Sequence, residues 1–251
     1  MTPTARDVRI GCCGFPLGLA KYAQIFPVVE VQQTFYQPPL VKTLQKWRTQ
    51  VPSAFEFTLK AWQLITHEAS SPTYRRLRKR LSNKQKREVG AFRLNETVLA
   101  AWRRTWECAQ ALRSRTILFQ CPTRFAPTRE NKANLRTFFH AISSEAPPEE
   151  LGEGLTFVWE PRGDWTPAEI KELCAELNLA HGVDPFVQEP VTTEPGYFRL
   201  HGRAGYRYQH TDQDLAELLN KARARTPCYV LFNNISMLED ARRFQQLIGK
   251  P

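Results

Sequence analysis

The sequence lacks the features that would place the chain in a membrane or in an oxidising compartment. It has no run of about 18 apolar residues, the length that a helix needs to cross a bilayer, and no apolar signal region follows Met1. No C-x-x-C pair occurs among the six cysteines, so the ligand spacing of structural zinc and iron–sulfur sites is absent. We therefore expect a cytoplasmic protein with reduced cysteines and no membrane partner.

Acidic residues are outnumbered by basic ones. The chain has 35 lysine and arginine residues against 25 aspartate and glutamate residues, for a formal charge of +10. An excess of this size favours a polyanionic partner, most simply nucleic acid. The basic residues are concentrated in Tyr74–Glu88, which reads YRRLRKRLSNKQKRE and holds one aromatic residue. A solvated helical face and a phosphate-binding segment are both compatible with this stretch. Aromatic residues that stack on bases would favour nucleic-acid binding, but the stretch contains only Tyr74.

Eight short apolar segments recur along the chain. Each is too short for a helix and is rich in β-branched or aromatic residues, as is typical of buried strands. The predicted strands are Val8–Cys12, Val28–Gln32, Phe55–Lys60, Thr116–Gln120, Leu155–Glu160, Leu179–Asp184, Tyr197–His201 and Cys228–Asn233.

Stretches with helical periodicity lie between most of these strands. Thr166-Pro167 fits an N-cap followed by proline at the first helical position. Ser236, with Glu239 three residues later, predicts a capping box. The predicted helices are Leu40–Gln50, Thr97–Leu112, Thr166–Leu177, Asp212–Ala224 and Ser236–Ile248.

Alternation of strands and helices predicts parallel strands joined by crossovers. Eight such strands in 251 residues indicate a closed (β/α)₈ barrel. An open doubly wound sheet is the alternative, but it normally has fewer strands, and no G-x-G-x-x-G follows the first one. We predict an α/β fold, a single TIM-type barrel over residues 1–251, with a basic, partly helical insertion at about 67–95 between strands three and four. Pro185–Pro195, with three prolines, is predicted to be a loop.

Polar side chains are concentrated at or just after the ends of the predicted strands. The carboxyl ends of barrel strands converge on one mouth, where barrel enzymes place their chemistry. Burying several charges at one end costs several kcal/mol for each unpaired charge, which favours a functional site over structural ion pairs. An ion-pair role for any single residue stays open. The residues concerned are Glu30, Gln32, Lys60, His67, Gln120, Glu160, Arg162, Trp165, Asp184, Arg199, His201 and Asn233.

Several motifs resemble the YecE-like proteins, a family defined by a domain of unknown function. The matches run in family order along the chain, and together they are specific although each alone is weak. They are IGCCGF (Ile10–Phe15), VEVQQTFYQPP (Val29–Pro39), FEFTLKAWQLITH (Phe55–His67), LFQCPTRF (Leu118–Phe125), WEPRGDW (Trp159–Trp165), FRLHG with the later Tyr206 and Tyr208, and LFNN (Leu231–Asn234).

The resemblance implies a (β/α)₈ barrel with a polar pocket at the strand carboxyl ends, and it implies no settled reaction. Two departures from the family pattern stand out. Gln32 replaces an asparagine, which lengthens that side chain by one methylene. Cys12-Cys13 replaces Thr-Ser, which removes two hydroxyls from the mouth. A nucleophilic thiol at this pair would need a depressed pKa and a nearby base.

The first functional hypothesis is an enzyme, with Glu30, Glu160, Asp184 and His201 as catalytic residues. This carboxylate–imidazole set suits either a divalent metal ion or metal-free acid–base catalysis. Cationic side chains would hold a small anionic substrate such as a sugar phosphate or a phosphodiester, and hydrolysis and isomerisation both fit. The substrate-binding residues would be Gln32, Tyr36, Lys60, His67, Gln120, Arg162, Trp165, Arg199, Tyr208 and Asn233.

The second hypothesis is a nucleic-acid-binding or nucleic-acid-processing protein. The basic insertion would hold the phosphate backbone, and the ring at the mouth would hold one nucleotide. A steep loss of affinity with salt would distinguish this function from a small-molecule enzyme. A scaffold without a ligand is a third alternative, which the desolvation cost of the buried charges disfavours.

Overall fold

The computed structural model describes residues 8–145 and 155–249. Within these ranges, eight parallel strands pair in the order β1 to β8 and close into a barrel. The closure is made by β1 and β8, whose register runs from Val8 opposite Cys228 to Cys12 opposite Phe232. The predicted barrel is therefore confirmed, and the open sheet is excluded. The strands are β1 Val8–Cys13, β2 Val28–Val31, β3 Glu56–Lys60, β4 Thr116–Gln120, β5 Thr156–Glu160, β6 Leu179–Val183, β7 Gly196–Leu200 and β8 Cys228–Phe232.

Several predicted strands extended one polar residue too far. Gln32 has helical backbone angles and stands at the N-cap of the short helix that follows β2. Asp184 leaves the sheet because its Oδ1 accepts the backbone N–H of Phe186 in the next turn, at 3.1 Å. His201 and Asn233 likewise lie just past β7 and β8. At Asp184, local hydrogen bonding of the polar side chain thus competes with the sheet.

The helices follow the predicted positions where a hydrophobic period is present. The four- and five-residue helices were not predicted, because they are too short to show a period, and the helix at Arg129–Glu145 was also missed. Pro185–Pro195 contains no helix or strand, as expected. The helices are α1 Leu19–Ala23, α2 Gln33–Tyr36, α3 Val41–Thr49, α4 Gln63–Thr66, α5 Asn83–Glu88, α6 Glu96–Leu112, α7 Arg129–Glu145, α8 Pro167–Glu176, α9 Asp212–Arg223 and α10 Met237–Ile248.

The capping predictions met different outcomes. Thr166 caps α8 as predicted, because its Oγ1 accepts the N–H of Glu169 while the Glu169 side chain accepts the N–H of Thr166. The capping box predicted at Ser236 is wrong. Ser236 stands at the N-cap of α10, but its backbone (φ −85°, ψ 18°) is not extended and its side chain makes no cap hydrogen bond. Extended backbone is what points an N-cap hydroxyl at the N2 and N3 amides.

Thr166→Ala is therefore expected to lower the free energy of unfolding by about 1 kcal/mol, because the backbone N–H of Glu169 loses its acceptor. Ser236→Ala is the matched control and should change it by about 0.5 kcal/mol or less. Urea unfolding of the two variants measures both values. Equal losses at the two caps would contradict this interpretation of Ser236.

The insertion returns to the barrel through a strap at Gly90–Phe92. The insertion itself contains a 3-10 helix at Pro72–Arg76 and α5, so it is partly helical as predicted. Gly90 has φ +87°, and a Cβ there would lie 2.5 Å from the backbone N of Glu68, so only glycine fits. The N–H groups of Gly90 and Phe92 donate to the carbonyls of Leu64 and Ile65. These bonds fix α4 and the residue that follows it, His67.

The described residues group into two compact units. The first comprises residues 8–31, 50–56 and 180–249, and the second comprises residues 32–49, 57–145 and 155–179. In the first unit, Tyr22 packs against Phe26 and Phe55. In the second, Phe119 packs against Phe92, Trp102, Phe138, Phe139 and Phe157. None of the helices in the described ranges has the length and apolar character of a bilayer span.

Candidate functional site

A buried ion pair lies at the ends of β2 and β7 in the first unit. Arg199 donates to Glu30 through Nη2 to Oε1 at 2.8 Å and through Nε to Oε2 at 2.9 Å. The hydroxyl of Tyr197 donates to Oε2 of the same carboxylate at 2.7 Å. Arg199 is 1% exposed and Glu30 is 0% exposed. We call Glu30, Tyr197 and Arg199 the Glu30 cluster.

The strand alternation explains this cluster. Tyr197 and Arg199 are two residues apart on β7, so both side chains project from the same face of the sheet. The two N–H donors of the guanidinium and the hydroxyl together neutralise and solvate the carboxylate, as a buried charge requires. The carboxylate of Glu30 is thus oriented by hydrogen bonds from Tyr197 and Arg199, and its charge is compensated by the guanidinium.

Asp184 and His201 form a second pair in the first unit. The backbone N–H of His201 donates to Asp184 Oδ2 at 2.8 Å, and His201 Nδ1 lies 3.6 Å from the same oxygen. The Asp184 side chain is 7% exposed, whereas the His201 side chain is 27% exposed. The carboxylate therefore anchors the turn after β7, and the imidazole reaches solvent.

The neighbouring cysteines do not form a reactive site. Cys12 and Cys13 are free and buried. Burial raises the pKa of Cys12 to about 12. Burial, followed by the nearby Glu30 carboxylate, raises the pKa of Cys13 well above its ordinary value. Nucleophilic thiols need the opposite shift, so the thiol hypothesis is not supported.

A second polar cluster lies at the ends of β3, β4 and β5 in the second unit. The ammonium of Lys60 donates to Gln120 Oε1. Gln120 Nε2 donates to Glu160 Oε1 at 3.2 Å. Arg162 donates to the same oxygen, with Nη2 at 2.9 Å and Nε at 3.0 Å. The amide of Gln120 thus links a cation to a carboxylate. Its oxygen faces the Lys60 ammonium and its nitrogen faces the Glu160 carboxylate, as the two charges require.

Strand register produces this arrangement. Gln120 and Glu160 are directly opposite each other in the parallel pairing of β4 and β5. Glu160 and Arg162 are two residues apart in extended chain and so project to the same side. Lys60, Gln120 and Glu160 are all buried, whereas the Arg162 side chain is 36% exposed. The guanidinium is therefore the part of the set that meets solvent.

His67 lies beside this set: its ring contacts Phe35, and burial together with the positive charges of Lys60 and Arg162 lowers its pKa. The Lys60 ammonium lies 3.6 Å from the centre of the Phe35 ring, and the His67 ring meets Phe35 edge to face at 4.9 Å. Burial, followed by the positive charges of Lys60 and Arg162, lowers the pKa of His67 to about 3. His67 is therefore neutral near pH 7, with Nδ1 hydrogen bonded to Thr66 Oγ1 at 2.7 Å. We call Lys60, His67, Gln120, Glu160 and Arg162 the Lys60 cluster.

The depressed pKa of His67 makes the stability of the protein depend on pH. Between the unfolded pKa of 6.5 and the folded pKa of about 3, the unfolded chain binds a proton at this site that the folded chain does not. The stabilisation is thus present above pH 6.5 and is lost as the pH falls towards 3. We expect His67→Gln to lose less stability than the wild type between about pH 7 and pH 4.5 in urea unfolding. Parallel losses in the two proteins would exclude His67 as the source.

The remaining predicted residues have identifiable surroundings. Tyr36 ends α2, and the Arg76 guanidinium lies 3.6 Å from its ring centre. Trp165 is 5% exposed, donates to the Phe125 carbonyl at 2.6 Å and stacks on the Phe125 ring, so it is a packing residue.

The Tyr208 hydroxyl donates to Asp214 at 2.6 Å, and this hydrogen bond raises the pKa of Tyr208. Asn233 donates its backbone N–H to the Leu200 carbonyl. Gln32 lies at the start of α2.

The side chains that the structure describes do not fit a divalent-metal site. Among the described residues, no group of three or more histidine, cysteine, aspartate or glutamate side chains is arranged to hold a metal ion. Glu30 is paired with Arg199, and Glu160 is paired with Arg162, so a cation at either carboxylate would lie beside a guanidinium. The metal set hypothesised from Glu30, Glu160, Asp184 and His201 is not supported by this geometry.

The sequence analysis did not assign a role to three side chains that belong to the clusters or contact them. Tyr197 could have been found, because it lies two residues before Arg199 in the same strand. Thr66 adjoins His67, and hydroxyl–imidazole pairs of this kind are common enough to expect. Phe35 lies within the VEVQQTFYQPP motif, but only the folded chain shows that its ring contacts the Lys60 ammonium.

A closed barrel of eight parallel strands with charged side chains at the strand carboxyl ends defines the (β/α)₈, or TIM-barrel, class. Within that class, the chain matches the family model "Protein of unknown function DUF72" over residues 15–251. The chain therefore belongs to the DUF72 family, and the resemblance inferred from its motifs is confirmed.

Three known proteins illustrate the similarity. The UPF0759 protein YunF of Bacillus subtilis is 25% identical to this chain in an alignment 256 residues long. The alignment covers 92% of this chain and 85% of YunF. A crystal structure of a DUF72 family protein from Enterococcus faecalis V583 is 22% identical with a TM-score of 0.70, covering 97% of this chain and 98% of that one. A D-psicose 3-epimerase, crystallised in the presence of D-fructose, has a TM-score of 0.56 at 13% identity, covering 91% and 90%. At these identities the two structures show the fold alone.

Proposed function

We propose that this protein is an isomerase-type enzyme that binds a small phosphate-bearing substrate and transfers a proton through the Lys60 cluster. The observation that carries the proposal is the connected set of an ammonium, a guanidinium, a carboxylate and a neutral imidazole at the ends of β3, β4 and β5. Barrel enzymes place their chemistry at these strand ends.

The charge of the cluster favours an anionic substrate. Lys60 and Arg162 supply two positive charges, Glu160 supplies one negative charge, and His67 is neutral near pH 7. The excess of one positive charge attracts an anion. The side chain of Arg162 is partly exposed, and a guanidinium forms charge-assisted hydrogen bonds with phosphate oxygens.

Glu160 is the residue we assign to proton transfer. Its carboxylate is oriented by Gln120 and Arg162, which is the fixed geometry that a general base needs. The carboxylate would take a proton from the carbon next to a carbonyl, and the C–H electron pair would form an enediolate. The same carboxylic acid would return the proton to the former carbonyl carbon while the hydroxyl proton of the enediolate moves to the other oxygen, so the atoms balance and no oxidant or reductant is consumed.

His67 is suited to stabilise the oxygen of that enediolate. A neutral imidazole donates a hydrogen bond without giving up a full proton, and a depressed pKa keeps it neutral at physiological pH. The bond between Nδ1 and the Thr66 hydroxyl orients the ring. The D-psicose 3-epimerase with a similar fold is a sugar epimerase by its name, which supports a sugar as the substrate class. The phosphate is proposed from the positive charges of Lys60 and Arg162 alone.

Deuterium exchange tests this proposal directly. Ketose and aldose phosphates are incubated with the protein in D₂O, with chelator present and metal content measured, and NMR detects deuterium at the carbon next to the carbonyl. We expect exchange with the wild type and none with Glu160→Gln. Equal exchange in both proteins would remove Glu160 from the mechanism. Cleavage of a phosphodiester substrate without any exchange would replace the isomerase with a hydrolase.

A further inference from the structure

The basic segment Arg75–Arg87 is an exposed cationic surface on the second unit. Eight lysine and arginine side chains in this segment are solvent exposed. Glu88, just beyond it, lies 3.7 Å from Lys84. Among the residues that the structure describes, no carboxylate pairs with Arg78, Lys79 or Arg80. The exposed cations are Arg75, Arg76, Arg78, Lys79, Arg80, Lys84, Lys86 and Arg87.

A pocket adjoins this surface and shares α5 with it. Its volume is about 480 Å³, within the roughly 300–1,000 Å³ typical of ligand sites. Lys84, Gln85 and Glu88 of α5 line one side, and α6 lines another with Glu96, Thr97 and Ala100. The indole of Trp62, just before α4, also lines it. The tertiary structure thus supplies the aromatic surface that the basic segment lacks in sequence.

The charges at the pocket differ from those of the basic segment, so the two would bind different parts of a ligand. Glu88 and Glu96 at the pocket would repel a phosphate, but their oxygens can accept hydrogen bonds from the amino groups of a nucleobase. Trp62, which is half-buried, is the aromatic residue that lines the pocket, and indole rings are stacking partners for bases. The exposed cations outside the pocket suit the phosphate backbone.

We propose that the basic segment and this pocket together bind single-stranded nucleic acid, with the phosphates on the cations and one unstacked base in the pocket. A duplex keeps its bases stacked and paired, so it would offer no base to the pocket. An anionic membrane or an acidic protein would engage the cations, but neither carries a flat base for Trp62. The combination of charge and pocket therefore favours the single strand.

Fluorescence anisotropy with labelled single-stranded RNA and DNA oligonucleotides tests the cationic part. In the triple variant Arg78→Gln, Lys79→Gln, Arg80→Gln, we expect about 100-fold weaker binding at 0.1 M salt and a salt slope smaller by about 2, because each single-strand phosphate contact contributes about 0.7. The control removes three exposed cations from α8, α9 and α10: Lys171→Gln, Arg223→Gln and Arg242→Gln. It should bind nearly as well as the wild type. Equal losses in the two triple variants would overturn the assignment to this segment.

Substitutions of Trp62 test whether the pocket binds a base. Trp62→Leu should weaken single-strand binding by about 10-fold with an unchanged salt slope, whereas Trp62→Phe keeps a stacking surface and should retain most of the affinity. Thermal unfolding verifies that each variant is folded, and the cation variants test the proposal independently if Trp62→Leu is not. Equal affinities for Trp62→Leu and Trp62→Phe would overturn the base pocket.

The wild type also distinguishes the alternative partners. We expect it to bind single strands more tightly than the duplex of the same sequence at equal salt. Tighter binding of the duplex, or binding of phosphatidylserine vesicles with no binding of oligonucleotides at about 50 mM salt, would overturn the proposal.

Discussion

Glu30→Gln is expected to lower the free energy of unfolding by about 3–5 kcal/mol, the largest stability effect we predict for a single substitution. The reason is the environment of Arg199, which is 1% exposed and donates hydrogen bonds to the carboxylate through both Nε and Nη2. Glutamine keeps the size of the side chain but leaves a buried positive charge without its counter-charge. Urea unfolding at neutral pH measures the loss.

A second substitution separates charge from packing. Adding Arg199→Met to Glu30→Gln removes the uncompensated charge, so the double variant should regain much of the lost stability. If the double variant is as unstable as the sum of the two single variants, the pair does not act as a unit and this explanation fails.

The half-exposed ion pair between Arg9 and Glu56 is the matched control. It belongs to the same unit, its atoms are 2.7 Å apart, and its side chains are 37% and 34% exposed. Glu56→Gln should cost about 1 kcal/mol or less, because solvent screens the remaining guanidinium. Equal costs for Glu30→Gln and Glu56→Gln would show that burial does not determine the effect.

Glu160→Gln is expected to lower kcat of the proposed proton transfer by about 10²–10⁴-fold, with a smaller change in KM. The amide has nearly the same shape, so binding by Arg162 is largely kept, but it cannot accept the proton. Lys60→Met should mainly raise KM, because it removes a charge that attracts the substrate. Steady-state kinetics on the substrate found by deuterium exchange separate the two effects.

Glu172→Gln is the control for Glu160→Gln. Glu172 lies on α8 of the same unit, and its side chain is 69% exposed and 3.5 Å from Arg136. The control should keep wild-type kinetics. A parallel fall of kcat in Glu160→Gln and Glu172→Gln would point to a general effect on folding, and an unchanged kcat in Glu160→Gln would reject its catalytic role.

The sequence predicted more of the fold than of the site. Strand–helix alternation depends on local periodicity, so all eight strands were placed within a residue or two. The cap at Ser236 failed because its hydroxyl needs an extended backbone, which local sequence does not guarantee. Trp165 was grouped with the site residues, although it packs on Phe125. Aromatic residues at strand ends look alike in sequence whether they line a pocket or fill a core.

Which side chains pair with each other in the two clusters could not be predicted from the sequence. Sequence placed Lys60, Gln120 and Glu160 at strand ends, but only the register of β4 and β5 sets Gln120 opposite Glu160. Likewise, Glu30 and Arg199 are 169 residues apart in the chain, and the ion pair between them is a product of folding. The sequence offered four carboxylate and imidazole side chains as metal ligands, and the structure pairs two of them with arginines.

The sequence by itself determined the barrel, the family and the basic segment, because hydrophobic period, motif order and charge density are properties of neighbouring residues. Only the tertiary structure decided that Glu30 is neutralised by Arg199, that His67 is held neutral beside Lys60 and Arg162, and that Trp62 adjoins the basic α5. Burial and the distance between charges determine these properties, and both arise from the packing of residues that are far apart in the chain.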